Sequence, residues 1–99
     1  MSKHRLHYTK TGRGVYIAHL DLMRTFQRAF SRAGVALRHS EGFNPHPLLT
    51  FALPLSVGVA SVTELLDFEA LYEPLPEDME KRLNAALPDG VRVLRVYDS

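Results

Sequence analysis

The feature that most constrains the fold is a stripe of apolar residues at helical spacing in the first half of the chain. Successive members are three or four residues apart, so they share one face of an α-helix. They are Leu22, Phe26, Ala29, Phe30 and Ala33. Gly34 follows directly and can adopt the left-handed conformation that ends a helix. A helix with one apolar face must bury that face against another element, and here strand-like segments lie on both sides of it.

The rest of the chain predicts four strands and a second helix. The segments with strand-like patterns are 3–10, 48–53, 62–71 and 91–97. Pro76 is a good start for the second helix, because a proline needs no amide partner in the first turn. Residues 41–47 form a proline-stiffened loop and residues 54–61 a turn region. Residues 35–53 as a whole could be one long interrupted strand or a separate small hairpin. The order βαββαβ predicts an α+β fold of the ferredoxin-like split βαβ type, an antiparallel sheet with two helices on one face.

Length and composition exclude several classes of protein. The 99 residues suit one domain, 1–99, with a single core. The chain contains no cysteine, which excludes structural disulfides, zinc-thiolate sites and cysteine-ligated iron–sulfur clusters. No apolar run approaches the roughly 20 residues of a membrane span, and the N-terminus does not resemble a signal peptide. We therefore expect a cytoplasmic protein with no membrane partner and no cofactor of its own.

Charge is distributed unevenly along the chain. Residues 1–50 carry eight Lys or Arg and two Asp or Glu, whereas residues 51–99 carry four and nine. This asymmetry indicates either an anionic partner on one face or association between opposite faces of two copies. Two solvated surfaces without a partner are the alternative.

Four short motifs resemble a known bacterial family. Lys10-x-Gly12 precedes a His-Leu-Asp-Leu-Met-Arg box at 19–24, and a Gly-Phe-Asn-Pro-His-Pro box follows at 42–47. The stretch Pro-Leu-x-Val-Gly at 54–58 is followed by Ser61 and Glu64. Together they resemble the radical-SAM-linked domain of unknown function. The chain departs from that pattern at Ala18, where serine is typical, and at Ser56, where proline is typical.

The resemblance implies an incomplete unit with a specific partner. The family domain is usually about twice as long, so the chain resembles its N-terminal half. The implied partner is a radical-SAM protein, which would carry the iron–sulfur cluster, S-adenosylmethionine and cobalamin. The implied substrate is RNA or ribosome-related. An uncovered strand edge or sheet face in such a fragment predicts a homodimer.

The candidate binding residues come from the first helix and the proline-stiffened loop. His19 and Asp21 lie in the first turn of the helix, where free amides and the helix dipole attract anions. Three arginines follow at four-residue spacing along one face, with two further cations near the helix start. The full set is Lys10, Arg13, His19, Asp21, Arg24, Arg28, Arg32, Phe43, Asn44 and His46. The alternative is a solvated face with Asp21 and Arg24 paired locally.

Several roles remain open for these side chains. If the loop lies near the helix start, His19, Asp21 and His46 would converge and could ligate a metal ion, or His19 and His46 could act in acid–base catalysis on RNA. Otherwise Asn44 and His46 hydrogen-bond the loop, and Phe43 anchors it to the core or stacks on a base.

Three functions follow, in order of preference. The first is an accessory domain, not an enzyme on its own, that recognises an anionic substrate such as RNA. The second is a module that docks on the radical-SAM partner, and the third is a histidine-dependent or metal-dependent ribonuclease. The aromatic residues Tyr8, Tyr16, Phe51 and Phe68 are expected in the core, and His4, His7 and His39 at the surface.

Overall fold

Strands and helices follow one another in the predicted order. The computed structural model describes residues 2–52 and 61–98, so most of the predicted turn region at 54–61 lies outside the described residues. The elements are β1 (Ser2–Lys10), a short 3-10 helix (Gly12–Tyr16), α1 (His19–Arg32), β2 (Leu49–Ala52), β3 (Ser61–Ala70), α2 (Met79–Ala86) and β4 (Val91–Asp98). Neither helix in these two stretches is long and apolar enough to cross a membrane.

The strands form one antiparallel sheet in the order β2-β3-β1-β4. β1 and β3 are the central strands, and they pair from Ser2 opposite Ala70 to Lys10 opposite Ser61. Each helix therefore connects two strands that have another strand between them, which is the split βαβ arrangement. The prediction of a ferredoxin-like α+β fold is confirmed.

The core lies between the helices and one face of the sheet. Leu6 and Tyr8 of β1 point to this face, and Phe26 and Phe30 of α1 pack against them and against Phe68 of β3. The predicted stripe of α1 is buried, because its apolar side chains cover the sheet.

Two expectations about core and surface are wrong. Tyr16 is 70% exposed at the end of the 3-10 helix, where the neighbouring Val15 is the side chain that faces the interior. His4 is buried, since the alternation of β1 places it on the same face as Leu6, where its ring stacks on Phe68 with 5.3 Å between ring centres.

The outer edge of β4 is closed by side chains of α2. Asn84 donates a hydrogen bond to the carbonyl of Val93 over 2.9 Å and accepts one from its amide over 2.7 Å. Glu80 accepts a third from the amide of Val96 over 3.0 Å. An unpaired edge strand tends to pair with another chain, and these contacts block part of that edge. Dimerisation through β4, one route that the sequence left open, would have to displace them.

Replacing Asn84 with alanine should expose this edge. We expect a loss of roughly 1–2 kcal/mol in the free energy of unfolding, because two hydrogen bonds to the backbone are lost while alanine gains helix propensity. Sedimentation velocity should also show more self-association than in the unaltered chain. Lys81→Ala, an exposed change on the same helix, should alter neither measurement. If Asn84→Ala matches Lys81→Ala in urea denaturation and in sedimentation, the side chain does not protect the edge.

Candidate functional site

A row of arginines runs along the outer face of α1. Arg24, Arg28 and Arg32 are all exposed, because they lie opposite the buried stripe of the helix. Within residues 2–52 and 61–98, none of the three takes part in an ion pair, and Asp21 is not paired with Arg24. We call Arg24, Arg28 and Arg32 the arginine ridge. It presents three guanidinium groups to solvent, and no carboxylate in the described ranges is ion-paired with them.

The start of α1 is held by packing and lacks a side-chain cap. Ala18 occupies the N-cap position and makes no side-chain hydrogen bond, whereas a serine there could cap the helix. The ring of His19 packs edge-on against Phe51, with ring centres 5.0 Å apart. Asp21 is exposed in the first turn, where a carboxylate interacts favourably with the helix dipole. His19 thus contacts Phe51 at the edge of the core while the rest of its side chain remains exposed to solvent.

The proline-stiffened loop is the tip of a hairpin formed by residues 38–48. The amide of Leu48 donates to the carbonyl of Arg38 over 2.8 Å, and the amide of Ser40 donates to the carbonyl of His46 over 2.9 Å. The backbone amide of His46 also donates to Ser40 Oγ over 3.1 Å, and that hydroxyl lies 3.0 Å from His46 Nδ1. The predicted role of His46 in holding the loop together agrees with these bonds.

The hairpin tip presents an aromatic ring to solvent. Phe43 is fully exposed, so the expectation that it anchors the loop to the core is wrong. Asn44 is exposed as well, and its backbone carbonyl lies 3.4 Å from His46 Nδ1. The prolines and the bonds between Ser40 and His46 restrict the backbone of this loop. The loop therefore has a defined conformation that positions the Phe43 side chain in solvent.

The hairpin lies beside the end of α1, far from its start. A groove of about 380 Å³ separates them, lined on one side by Gln27 and Ser31 of α1 and on the other by His39 and Pro47. The helix start lies at least eight residues, or about 12 Å, further along the axis. The topology explains this, because α1 runs back to the end of the sheet where β1 begins and the hairpin leads into β2 from that same end.

The predicted convergence of His19, Asp21 and His46 is therefore wrong. Among the described residues, no three His, Cys, Asp or Glu side chains are placed to hold a metal ion together. The same separation removes the geometry in which His19 and His46 would act as an acid–base pair on one substrate. What the fold brings together instead is the second half of α1, through Gln27 and Ser31, and the base of the hairpin, through His39 and Pro47.

Lys10 does not belong to the exposed basic surface. Its ammonium is buried and lies 3.6 Å from Glu64 Oε2, and each of these two side chains is only 4% exposed. The hydroxyl of Tyr8 hydrogen-bonds Glu64, and burial, with the negative charge of Glu64, raises the pKa of Tyr8. The prediction that Lys10 belongs to the surface that binds an external anion is wrong, because the burial of Lys10 keeps it from solvent. Arg13 is exposed, as that prediction requires. Tyr8, Lys10 and Glu64 form a buried polar cluster beside the 3-10 helix.

Alternation could have revealed this cluster. Lys10 has the same parity as Leu6 and Tyr8, and Glu64 has the same parity as Leu66 and Phe68, so both charged side chains fall on the buried face. Opposite charges on the inner faces of two strands predict a buried ion pair when the strands are neighbours.

The open face of the sheet carries functional candidates that the sequence analysis did not identify. A cavity of about 310 Å³ on this side is lined by residues of β1, β2 and β3, with Arg5 and Asp67 among them. Arg5 donates two hydrogen bonds to Asp67, over 2.7 and 3.0 Å, and these bonds hold the pKa of Asp67 below its usual range. Beside this pair, Tyr97 and Arg95 of β4 lie in contact with each other.

The fold and these surfaces define a small ferredoxin-like α+β domain with basic side chains exposed on α1 and on the open sheet face. The family model for uncharacterized proteins conserved in bacteria, DUF2344, matches residues 3–98, and the chain belongs to this family. No curated protein matches the chain.

Proposed function

We propose that the chain is an accessory recognition domain of a radical-SAM modification system and that it binds RNA through the arginine ridge. The base of the hairpin lies beside the second half of the same helix, and in this proposal the exposed tip extends the binding surface. Iron–sulfur cluster, S-adenosylmethionine and cobalamin would belong to the partner, and this chain would position the substrate.

The single observation that supports this role most is that the three arginines of the ridge are exposed and, within the described residues, not ion-paired. Residues four apart on a helix are about 6 Å apart along its axis, so the three guanidinium groups form a regular basic row. Arginine forms two parallel hydrogen bonds to one phosphate and is always charged at cellular pH. Within the described part of the chain, no carboxylate lies within ion-pair distance of the three arginines. The surface is therefore complementary to an anionic polymer.

Removing the ridge should reduce both RNA affinity and its dependence on salt. For R24Q/R28Q/R32Q, we expect the slope of log affinity against log salt concentration to become shallower by about 2 for single-stranded RNA, because three phosphate contacts and their counterions are lost. Glutamine preserves helix propensity, so the fold should not change. Fluorescence anisotropy with a labelled 20-nucleotide RNA at four salt concentrations measures the slope.

A matched pair of single variants separates the ridge from net charge. Arg28→Gln and Lys81→Gln remove the same charge from exposed helix positions. We expect Arg28→Gln to weaken binding roughly fivefold to tenfold, since a charge-assisted hydrogen bond is lost, and Lys81→Gln to have little effect. Equal effects of the two variants, or an unchanged salt slope in the triple variant, would show that the ridge is not the RNA site.

A second candidate function, docking on the radical-SAM protein, is favoured by the full exposure of Phe43. Aromatic residues at the centre of an interface commonly contribute more than 2 kcal/mol to protein binding. If this is the role of the tip, Phe43→Ala should weaken binding to the radical-SAM protein more than 30-fold at all salt concentrations and leave RNA binding intact. Titration calorimetry with that protein tests the docking function.

A further inference from the structure

The open face of the sheet has one basic half, formed by β1 and β4. Alternation along β1 directs Arg5, His7 and Thr9 away from the helices. The pairing of β1 with β4 shifts between His7 and Tyr8, so Val93 remains inside opposite Tyr8 while Arg95 lies outside opposite His7. This irregularity places an extra side chain, Leu94, in the ladder and lets β4 present its basic residues on the open side.

Arg95, Tyr97 and His7 contact one another on this face. The guanidinium carbon of Arg95 lies 4.8 Å from the ring centre of Tyr97, over its face. His7 packs edge-on against the same ring with centres 4.7 Å apart, and its Nδ1 lies 3.4 Å from the tyrosine hydroxyl. Arg95 is exposed, whereas Tyr97 is partly buried. We call Arg95 and Tyr97, supported by His7, the stacking platform.

The open face carries a net positive charge, and this charge is distributed unequally among the strands. The described charged side chains give it an excess of two positive charges; they are Lys3, Arg5, Asp67, Glu69, Arg92 and Arg95. Both acidic residues lie on β3, and Asp67 is bonded to Arg5. The described side chains that β4 itself directs to the open face include Arg92 and Arg95 and no acidic residue. Glu77 and Glu80 of α2 lie at the outer edge of this strand, in grooves that Tyr97 and Arg92 also line. An anionic ligand is therefore favoured over the face of β4, on the side away from that edge.

We infer that the stacking platform binds an unpaired base of single-stranded RNA, with Arg92 contacting the backbone beside it. Bases stack on aromatic rings and on planar guanidinium groups, and a four-stranded sheet offers a flat surface for them. Because Arg95 already lies over Tyr97, a base that stacks on the guanidinium needs little rearrangement of the protein. The carboxylates of a folded acidic protein would interact with the positive charge but would not stack on the planar guanidinium of Arg95. The inference rests on the proposed function, since it names which part of the RNA is recognised.

The platform and the arginine ridge lie on opposite sides of the domain. The helices cover one face of the sheet, the ridge lies on the outer side of α1, and the platform lies on the uncovered face. Variants at one surface therefore leave the other unchanged. Backbone binding at the ridge and base stacking at the platform can be measured separately.

The test uses an eight-nucleotide RNA with one 2-aminopurine, whose fluorescence is quenched when the base stacks. With the full chain, titration should quench the fluorescence. Arg95→Lys keeps the charge but removes the planar group, and we expect affinity measured by quenching to fall at least about fivefold. Tyr97→Ala should give a similar loss. The matched controls are Arg82→Lys in α2 and Tyr72→Ala in the segment after β3, both exposed and outside the strands of the sheet, and neither should change the quenching.

The outcomes separate this inference from the proposed function. If the Arg95→Lys chain quenches 2-aminopurine fluorescence with the same affinity as the unaltered chain, the platform does not stack on RNA. This conclusion does not depend on Tyr97→Ala, which could fail to fold. Suppose that the ridge variants bind RNA more weakly in the anisotropy assay while Arg95→Lys quenches 2-aminopurine as the unaltered chain does. The proposed function then stands and the inference is overturned. A third outcome is that poly-glutamate displaces the labelled RNA as well as unlabelled RNA does, and that Arg95→Lys leaves the affinity unchanged. The face would then recognise negative charge alone, as expected for an acidic protein partner, and the inference would also be overturned.

Discussion

Replacing Lys10 with methionine is expected to destabilise the domain by about 3–5 kcal/mol, more than any surface change considered above. Lys10 and Glu64 are both almost completely buried, and the ammonium is the cation that Glu64 faces at 3.6 Å. Without it, the carboxylate would remain in an apolar environment with the Tyr8 hydroxyl as its hydrogen-bond partner. Urea denaturation followed by circular dichroism measures the loss, which corresponds to a large part of the stability of a domain of this size.

The double variant K10M/E64L distinguishes a charge effect from a packing effect. Methionine and leucine fill similar volumes without charge, and replacing both members of a buried ion pair by apolar residues is commonly neutral or stabilising. We therefore expect the double variant to regain most of the stability that Lys10→Met loses. A double variant as unstable as the sum of the two single variants would mean that Lys10 and Glu64 contribute independently, and the ion pair would not be what stabilises this end of the sheet.

The local elements of the fold were predictable because each has a strong periodic signal. The stripe of α1 and Gly34 predicted a helix close to the observed His19–Arg32, and the alternation of β1 and β3 predicted two half-buried strands. β2 was predicted at 48–53 and is observed at Leu49–Ala52. Four residues provide too few alternations to fix strand ends, so the sequence left residues 35–53 as either one long interrupted strand or a separate small hairpin. The structure has the hairpin, at residues 38–48.

Part of the candidate site was predictable from the sequence. The exposure of Arg24, Arg28 and Arg32 follows from helical spacing alone. The predicted split βαβ order also places the segment between α1 and β2 at the end of the sheet where α1 ends. The expected approach of His46 to the start of the helix did not agree with that order. The platform was missed for a different reason, since the irregular pairing of β1 and β4 that directs Arg95 outward has no signature in the sequence.

A close backbone contact joins the 3-10 helix to the turn before β4. Gly14 lies against Gly90, whose carbonyl accepts a hydrogen bond from the amide of Thr11 over 2.8 Å. A Cβ atom placed on Gly14 would overlap that carbonyl oxygen. The two backbones approach this closely only because neither glycine has a side chain. The contact fixes the segment that leads from β1 into α1 and so supports the buried polar cluster next to it.

Gly14→Ala is accordingly expected to cost about 3 kcal/mol or more, since a methyl group cannot be accommodated without moving one backbone and breaking the Thr11–Gly90 hydrogen bond. Gly12→Ala is the matched control two residues away. A Cβ there meets nothing within 4 Å, and only its φ of 52° is unfavourable for alanine, so we expect a loss of about 1–2 kcal/mol. Thermal and urea denaturation of both variants provide the comparison. Should Gly14→Ala prove no less stable than Gly12→Ala, the two glycines are not in contact in solution, and the path from β1 into α1 differs from the one described above.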